Sequence, residues 1–371
     1  MRYNVLSLFS GAGGLDLGFE SAGFKHLECV EIEEHSVNTL RKNRPEWNVR
    51  KMDVTKYNPK YSDIDVLIGG PPCQGFSLGG KRDPNDPRNE LFLEMIRVTK
   101  ITSPRVVVIE NVLNLRTMKA PWSGKNFVEE ISSQLEGLGY TVFADAFQVC
   151  DFGVPQTRRR FIFIAIKDKA PEQYQLPVPD SNPTSIRSAL FEIGQNDDLV
   201  LPNHDPSWGF HSSVHTNLEN ETNPEDIAIP IRISRTGSDG NPVRSFDKPF
   251  PAVDTATVWG WAKGYLNAER VIKDRTVGKH VRNPNATTKL WRITSDQMRT
   301  FTHREYARLQ TFPDNWVFTG NNKRDIQKQI GNAVPVNFAI KIANNVHKIL
   351  VCKDKNLPFE SDGFYQMSMN L

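Results

Sequence analysis

The first 170 residues alternate short apolar, β-branched runs with amphipathic stretches, and that alternation constrains the fold more than any other feature. Val5 to Phe9 reads as a strand ending in the Gly-rich turn Ser10-Gly11-Ala12-Gly13-Gly14, which opens a helix carrying Leu15, Leu17 and Phe19. Leu27 to Ile32 reads as a second strand, and Ser36 to Asn43 as the start of a helix. Asp65 to Ile68 and Val106 to Ile109 are compact apolar runs between turn residues, the pattern of parallel strands buried on both faces. Phe143 to Val149 and Phe161 to Ile166 add two strands, joined by a connection rich in Gly, Pro and Arg. Parallel neighbours need crossover helices, so strands and helices in alternation predict a doubly wound α/β sheet.

Near Lys169 the pattern changes. From there to about Arg292 Pro, Asn, Ser and Gly are frequent and apolar runs are short, which predicts a smaller, loop-rich, mostly β domain. Helical spacing returns from Thr300, and a last helix follows Pro335 with Phe338, Ile342 and Val346 on one face. The expected division is 1–171 for the α/β domain, 172–292 for an inserted domain, 293–350 for a segment returning to the α/β domain and 351–371 for a tail. A length of 371 residues suits two domains. No apolar run approaches the ~18 residues of a membrane span, and the opening residues lack a signal peptide's apolar stretch. Cys29, Cys73, Cys150 and Cys352 are too few and too scattered for a disulfide framework or a zinc site, so a reducing cytoplasm and no metal are expected.

The net charge of +3 argues against a polybasic protein, but it is an average. Trp261 to Gln310 holds eleven Lys and Arg against four acids, about +7, so the remainder carries about −4. A local basic face is the footprint of a polyanionic partner, or simply a solvated face.

Several residues carry chemistry. The turn Phe9 to Gly14 lets backbone N–H groups approach a ligand at the carboxyl end of the sheet, although a Gly-rich turn alone is weak evidence and its spacing is not that of a dinucleotide site. Glu31 stands 17 residues past Gly14, at a strand end where an acid can accept both hydroxyls of a ribose. Asp53 is suited to accept from an adenine amino group; either acid alone could be a surface carboxylate. Together they describe an adenosine-type cofactor with no pyrophosphate, which points to S-adenosylmethionine. In Gly69-Gly70-Pro71-Pro72-Cys73-Gln74-Gly75-Phe76-Ser77, two prolines stiffen the approach to a cysteine at a strand's carboxyl end, the setting of a nucleophile. Such a thiolate needs nearby positive charge or oriented donors. Glu110 ends another buried strand, where it could share or donate a proton or could cap a helix. Gln156-Thr157-Arg158-Arg159-Arg160 reads as one strand, with Gln156, Arg158 and Arg160 on one face as an anion or carbonyl site, or as edge protection.

Taken in order, these segments resemble the cytosine-C5 DNA methyltransferase family, of the type found in prokaryotic type II restriction–modification systems. FSGAGGLDLGF (Phe9 to Phe19) is similar to the cofactor loop, PPCQGFS (Pro71 to Ser77) to the nucleophile loop, ENV (Glu110 to Val112) to the acid motif and QTRRR (Gln156 to Arg160) to the Gln-x-Arg-x-Arg motif. REYARLQTFPD (Arg304 to Asp314) and QIGNAVP (Gln329 to Pro335) resemble the closing segments. One departure is Ala252 in DKPFPAV (Asp247 to Val253), where the family's Pro-x-Pro-Thr segment has Thr.

The resemblance implies a Rossmann-like, S-adenosylmethionine-dependent methyltransferase domain with an inserted target-recognition domain, acting on C5 of a cytosine flipped out of double-stranded DNA. It implies catalytic roles for Cys73, Glu110, Arg158 and Arg160. It also implies a cofactor pocket of Phe9, Ser10, Ala12, Gly14, Leu15, Glu31, Ile32, Asp53, Val54, Gly70, Pro72, Leu91, Asn332 and Val334, with S-adenosylhomocysteine as product. DNA contacts are implied for Gln74 and Ser77, and for Arg235, Ser238 and Asp239 in a loop that fills the space left by the base. Basic residues from Arg270 to Arg292 would hold phosphates, and Leu78 to Asn89 would form a lid. A cytoplasmic monomer working beside a cognate restriction endonuclease is expected, with no membrane partner. The competing readings are a tRNA cytosine methyltransferase on the same scaffold, a catalytically silent DNA-binding homologue, and a small-molecule methyltransferase.

Overall fold

The computed structural model describes residues 2–72, 90–120, 122–180, 182–209, 214–216, 228–233, 243–263, 269–273 and 288–359. The chain forms two compact units: Met1–Phe152, Arg159–Ser181 and Val334–Leu371 make the first, and Gly153–Arg158 with Asn182–Ala333 the second.

The strands of the first half are β1 (Asn4–Leu8), β2 (Lys25–Glu31), β3 (Val49–Lys51), β4 (Val66–Gly69), β5 (Val106–Asn111), β6 (Tyr140–Gln148), β7 (Gln156–Thr157) and β8 (Arg159–Lys167). All but β7 form the first unit's seven-stranded sheet, in the order β3-β2-β1-β4-β5-β8-β6. The five strands from β3 to β5 run parallel, and β8 is antiparallel to both β5 and β6. Parallel strands must be covered on both faces. Accordingly, every residue of β4 and β5 is buried.

The crossovers are α1 (Gly14–Ser21), α2 (Glu34–Asn43) and α3 (Phe92–Thr102), with α4 (Phe127–Gly137) between β5 and β6. Asn126 and Glu129 form a capping box that starts α4, satisfying N–H groups the first turn would otherwise leave unpaired.

In the second unit, α5 (Arg187–Gln195) precedes β9 (Val214–Thr216), β10 (Ala228–Arg232), β11 (Phe250–Pro251), β12 (Trp259–Lys263), β13 (Glu269–Lys273), β14 (Thr288–Ile293) and β15 (Met298–Thr300). They make two three-stranded sheets, β10-β12-β15 and β13-β14-β9, and β11 pairs with β7. Ile229, Ile231, Ala262, Ile293 and Met298 form a small apolar core. Helices α6 (His303–Leu309) and α7 (Lys323–Asn332) also belong to this unit. The segment expected to rejoin the first domain at 293 therefore packs with the second unit as far as Ala333.

Helix α8 (Val336–Lys355) returns to the first unit. Phe338, Ile342, Val346 and Ile349 are buried on one stripe, and the helix crosses α1 so closely that a Cβ on Gly18 would lie 2.4 Å from the Cβ of Ala339. The tail expected from 351 starts later. Helix continues to Lys355, and Phe359 is buried with its N–H bonded to the Glu172 carbonyl. Among the described residues no helix is long and apolar enough to cross a membrane.

Candidate active site

Because β3, β2, β1, β4 and β5 are parallel neighbours, their carboxyl ends lie along one side of the sheet. The chain leaves β1 toward β2 on one flank and β4 lies on the other, the kind of switch point where open α/β sheets bind ligands. Asp53 and Val54 follow β3, Glu31 ends β2 with Ile32 next, and Phe9 to Leu15 follow β1. Gly70 and Pro72 follow β4, and Glu110 lies near the end of β5. Residues far apart in sequence thus stand on one side of the sheet because topology, not local spacing, assembles them.

The turn after β1 needs an unusual backbone. Phe9, Gly11 and Gly13 have φ of 55°, 55° and 88°. Glycine adopts positive φ freely, but Phe9 does not, and a left-handed non-glycine residue costs about 1–3 kcal/mol. Such strain is retained at ligand-binding turns more often than elsewhere. The turn is tied to β2 through Glu31, whose Oε2 accepts the Gly11 N–H at 2.7 Å while Oε1 accepts those of Ile32 and Glu33 at 2.8 Å each. Burial raises the pKa of Glu31, and the three N–H donors oppose that rise. A carboxylate has about four acceptor directions, so about one remains for a ligand hydroxyl.

Ile32 beside it is 57% exposed, an apolar surface at a strand end. Asp53 accepts the Thr55 N–H at 3.0 Å and caps the short 3-10 turn that starts at Val54. Ala12, Gly14, Leu15, Val54 and Val334 are buried, as is Ser10, whose hydroxyl bonds that of Ser7 at 2.8 Å. Leu91 is half-buried at the N-cap of α3. Asn332 ends α7 in the second unit and is exposed.

At the other flank, Glu110 Oε1 pairs with Arg160 Nε at 2.6 Å, and both side chains are largely buried. Burial pushes the Arg160 pKa down while the Glu110 carboxylate pulls it up. Gly70 sits against this pair: a Cβ there would lie 3.0 Å from Glu110 Oε2. Asn111 Nδ2 donates to the Pro71 carbonyl at 3.2 Å. The acid therefore lies against the segment that leads into Cys73. Cys73 itself, with Gln74, Ser77 and the segment Leu78 to Asn89, lies outside the described residues, as do Arg235, Ser238 and Asp239.

Three expectations are corrected. Gln156 to Arg160 is not one strand. Gln156 and Thr157 pair with β11 in the second unit, whereas Arg159 and Arg160 begin β8 in the first. Arg158, expected to support the Arg160 site or to hold a phosphate, is buried and donates to the carbonyls of Val253 at 2.8 Å and Gly331 at 2.9 Å. With Gln156 Oε1 accepting the Val253 N–H at 3.0 Å, these residues anchor the segment that contains Ala252. The basic stretch is also less available than its count suggests. Arg299 is fully buried against Glu305 at 2.8 Å, and Arg304 is buried with its guanidinium on the carbonyls of Pro202, Pro313 and Trp316. Arg308 pairs with Asp314.

A cleft of about 320 Å³ in the second unit, lined in part by Arg232, Arg244, Asp254, Thr257 and Trp259, was not anticipated. No motif spacing links those five.

Comparison with known proteins matches this arrangement. A family profile described as C-5 cytosine-specific DNA methylase spans residues 3–348. The type II methyltransferase M1.HphI of Haemophilus parahaemolyticus is 35% identical over 359 residues, 94% of this chain and 88% of that one. M.Eco47II of Escherichia coli is 34% identical over 374 residues, 94% and 79% of the two chains. Among solved structures, a putative DNA modification methyltransferase from an E. coli prophage superposes with a TM-score of 0.62 at 24% identity, covering 94% of this chain and all of that one. Spodoptera frugiperda DNMT2 gives 0.61 at 16% over 93% of this chain and all of that one, a likeness of fold alone. With an acid and its arginine set against Gly70, and with sequence likeness along nearly its whole length, the chain belongs to the C-5 cytosine-specific DNA methylase family and is a DNA cytosine-5-methyltransferase.

Proposed function

We propose that the protein methylates one cytosine within a specific duplex site through a covalent intermediate on Cys73, takes the methyl group from S-adenosylmethionine, and protects host DNA beside a cognate restriction endonuclease. The observation that carries this reading is the Glu110–Arg160 pair held against Gly70 and Pro71, two residues before the cysteine.

The residues at the carboxyl ends of β1 to β3 fit the donor. Glu31 keeps about one acceptor direction for a ribose hydroxyl, Ile32 offers an exposed apolar face to a flat base, and Asp53 stands where an exocyclic amine could donate. Nothing in this set provides an anion cradle with basic side chains, which suits a cofactor without phosphates. When bound, S-adenosylmethionine supplies an electrophilic methyl group.

Cytosine C5 is a poor nucleophile until the ring gains electrons. The Cys73 thiolate forms an S–C6 bond, and Glu110, hydrogen-bonded to N3, neutralises the charge that moves into the ring. C5 then carries electron density and accepts the methyl. Loss of the C5 proton and cleavage of S–C6 restore the aromatic ring and return the thiolate. Arg160 holds Glu110 in place and can reach the carbonyl oxygen O2 of the base, while Arg158 secures the 253 and 331 segments. Flipping the base out of the helix is required, because C5 and C6 are inaccessible in the stack. In this reading Gln74 and Ser77, with Arg235, Ser238 and Asp239, contact the DNA around the vacated position. Arg270 to Arg292 supply phosphate contacts. The protein acts as a cytoplasmic monomer.

The protective role rests on relatives named as type II methyltransferases. Expression in a host lacking cytosine methylation, followed by methylation sequencing, tests the reading. One short motif should be fully modified at C5, and the same motif unmodified in cells carrying Cys73→Ser. Methylation without a shared motif, or only in RNA, would contradict it.

A further inference from the structure

Behind the Gly-rich turn lies a cluster that the methyl-transfer chemistry does not use. Asp16 is in the first turn of α1, and His26 and Cys29 are on β2. Three residues apart, His26 and Cys29 would face opposite sides of a regular strand. The pairing of β2 with β1 shifts register, with Val5 opposite His26 but Leu6 opposite Glu28, so an extra residue resets the alternation. The potential ligand atoms of Asp16, His26 and Cys29 all lie within 4.8 Å of one another.

The cluster is dry. The Asp16 and His26 side chains are 0% and 1% exposed and Cys29 is fully buried. Asp16 Oδ2 and both ring nitrogens of His26 have no hydrogen-bond partner. Buried polar atoms are rarely left so, and each such atom calls for an unplaced partner. A water molecule could serve one or two of them, whereas a metal ion would engage all three residues at once. Asp16 Oδ1 lies 3.3 Å from His26 Nε2 and 3.5 Å from Cys29 Sγ. Tetrahedral zinc with bonds of about 2.0–2.3 Å sets its ligand atoms roughly 3.3–3.8 Å apart, so both spacings from Asp16 already match, and His26 and Cys29 lie within 4.8 Å of each other.

We propose that Asp16, His26 and Cys29 form a structural site for a divalent ion of the zinc type, with the Ser10 hydroxyl or a water in the fourth position. The Ser10 side chain is near enough to oppose the rise that burial imposes on the Cys29 thiol pKa, and Trp47 stacks on His26 at 4.2 Å and fixes the ring. Metal binding exchanges the thiol proton for an S–metal bond and releases that proton to solvent, which explains why a thiol made so weakly acidic by burial could still ligate. The cysteine count hid the site, because the ligands are one each of three residue types. A metal here would pin α1 to β2 beneath the cofactor turn.

The test is cobalt titration of the full-length chain after removal of metals, with zinc content measured in the untreated protein. About one equivalent of zinc is expected. Cobalt should give the visible absorption of a tetrahedral site and a thiolate charge-transfer band. Both bands should persist in Cys73→Ser and vanish in His26→Gln and Cys29→Ser. Absence of the bands in the wild type overturns the proposal, as does their survival in both ligand variants or their loss in Cys73→Ser. Should the ligand variants fail to fold, the wild type and Cys73→Ser decide it between them. None of these readouts depends on methyl transfer, so failure here leaves the catalytic reading intact.

Discussion

Glu31 illustrates how one side chain joins structure to ligand chemistry. Its carboxylate fixes the cofactor turn through the Gly11 N–H, yet burial makes that carboxylate easier to protonate than an exposed glutamate. Only the ionised form can accept from ribose hydroxyls without presenting a proton of its own. Affinity for S-adenosylmethionine should therefore fall as pH is lowered through the raised pKa, before exposed carboxylates titrate. Isothermal titration across that range checks this, and Glu31→Gln should bind weakly with the pH dependence gone. For stability the sign is fixed by the same shift: the contribution of Glu31 is fully present below its unfolded-state pKa and is lost as pH rises through the folded one.

Glu110 is the second residue whose setting yields a firm expectation. Glu110→Gln keeps the size but removes the charge, so kcat should drop by about 10²–10⁴ while DNA and cofactor binding persist. Arg160→Ala would leave the carboxylate largely buried and unpaired, at about 3 kcal/mol of stability by chemical denaturation. The acid motif was legible in the sequence because it ends an apolar run that reads as a buried strand. The true partners of Arg158 were not, since they are backbone carbonyls of segments about 95 and 173 residues away.

Among elements, α1 and α8 show how much of the fold rests on a single missing side chain. In an exposed helix Gly→Ala would stabilise by up to about 1 kcal/mol. At Gly18 the new Cβ would meet the Ala339 backbone carbon at 2.5 Å and the Ile340 nitrogen at 2.7 Å, neither of which can swing aside. Overpacking of this kind costs about 1–3 kcal/mol. Gly18→Ala should therefore lower the urea midpoint with the m-value unchanged. An unchanged or raised midpoint would show that α8 does not lie on α1 as described.

Strands β1, β2, β4 and β5 were readable because buried parallel strands are continuous apolar runs, and α8 because its apolar stripe repeats at helical spacing, whereas α3 and α4 were not singled out. Helix α7 was missed: its sequence KRDIQKQIGN is largely polar, and it begins at an Asn322–Asp325 capping box. The break between β7 and β8 was missed because period-two alternation assumes one continuous strand, whereas Arg158 turns into the second unit.

At the scale of the whole molecule, the near-neutral total conceals a locally basic stretch, but not every cation in that stretch is on a surface. Arg299 and Arg304 are buried in the second unit, where they satisfy an acid and three carbonyls. A charge count cannot distinguish an arginine that holds a fold from one that holds a phosphate; burial can. The family chemistry was legible because the cofactor turn and the acid motif stand at strand ends on the sheet's carboxyl side, after apolar runs. The DNA sequence that the protein is proposed to select was not, because no motif spacing or periodicity in the sequence encodes it.

The central claim, Cys73-dependent methyl transfer to cytosine in duplex DNA, is tested most directly with methyl-labelled S-adenosylmethionine. Wild-type protein and Cys73→Ser are each incubated with duplex DNA and, separately, with tRNA. Label should enter duplex DNA as 5-methylcytosine with the wild type alone. Label confined to tRNA, or equal incorporation by Cys73→Ser, would contradict the account.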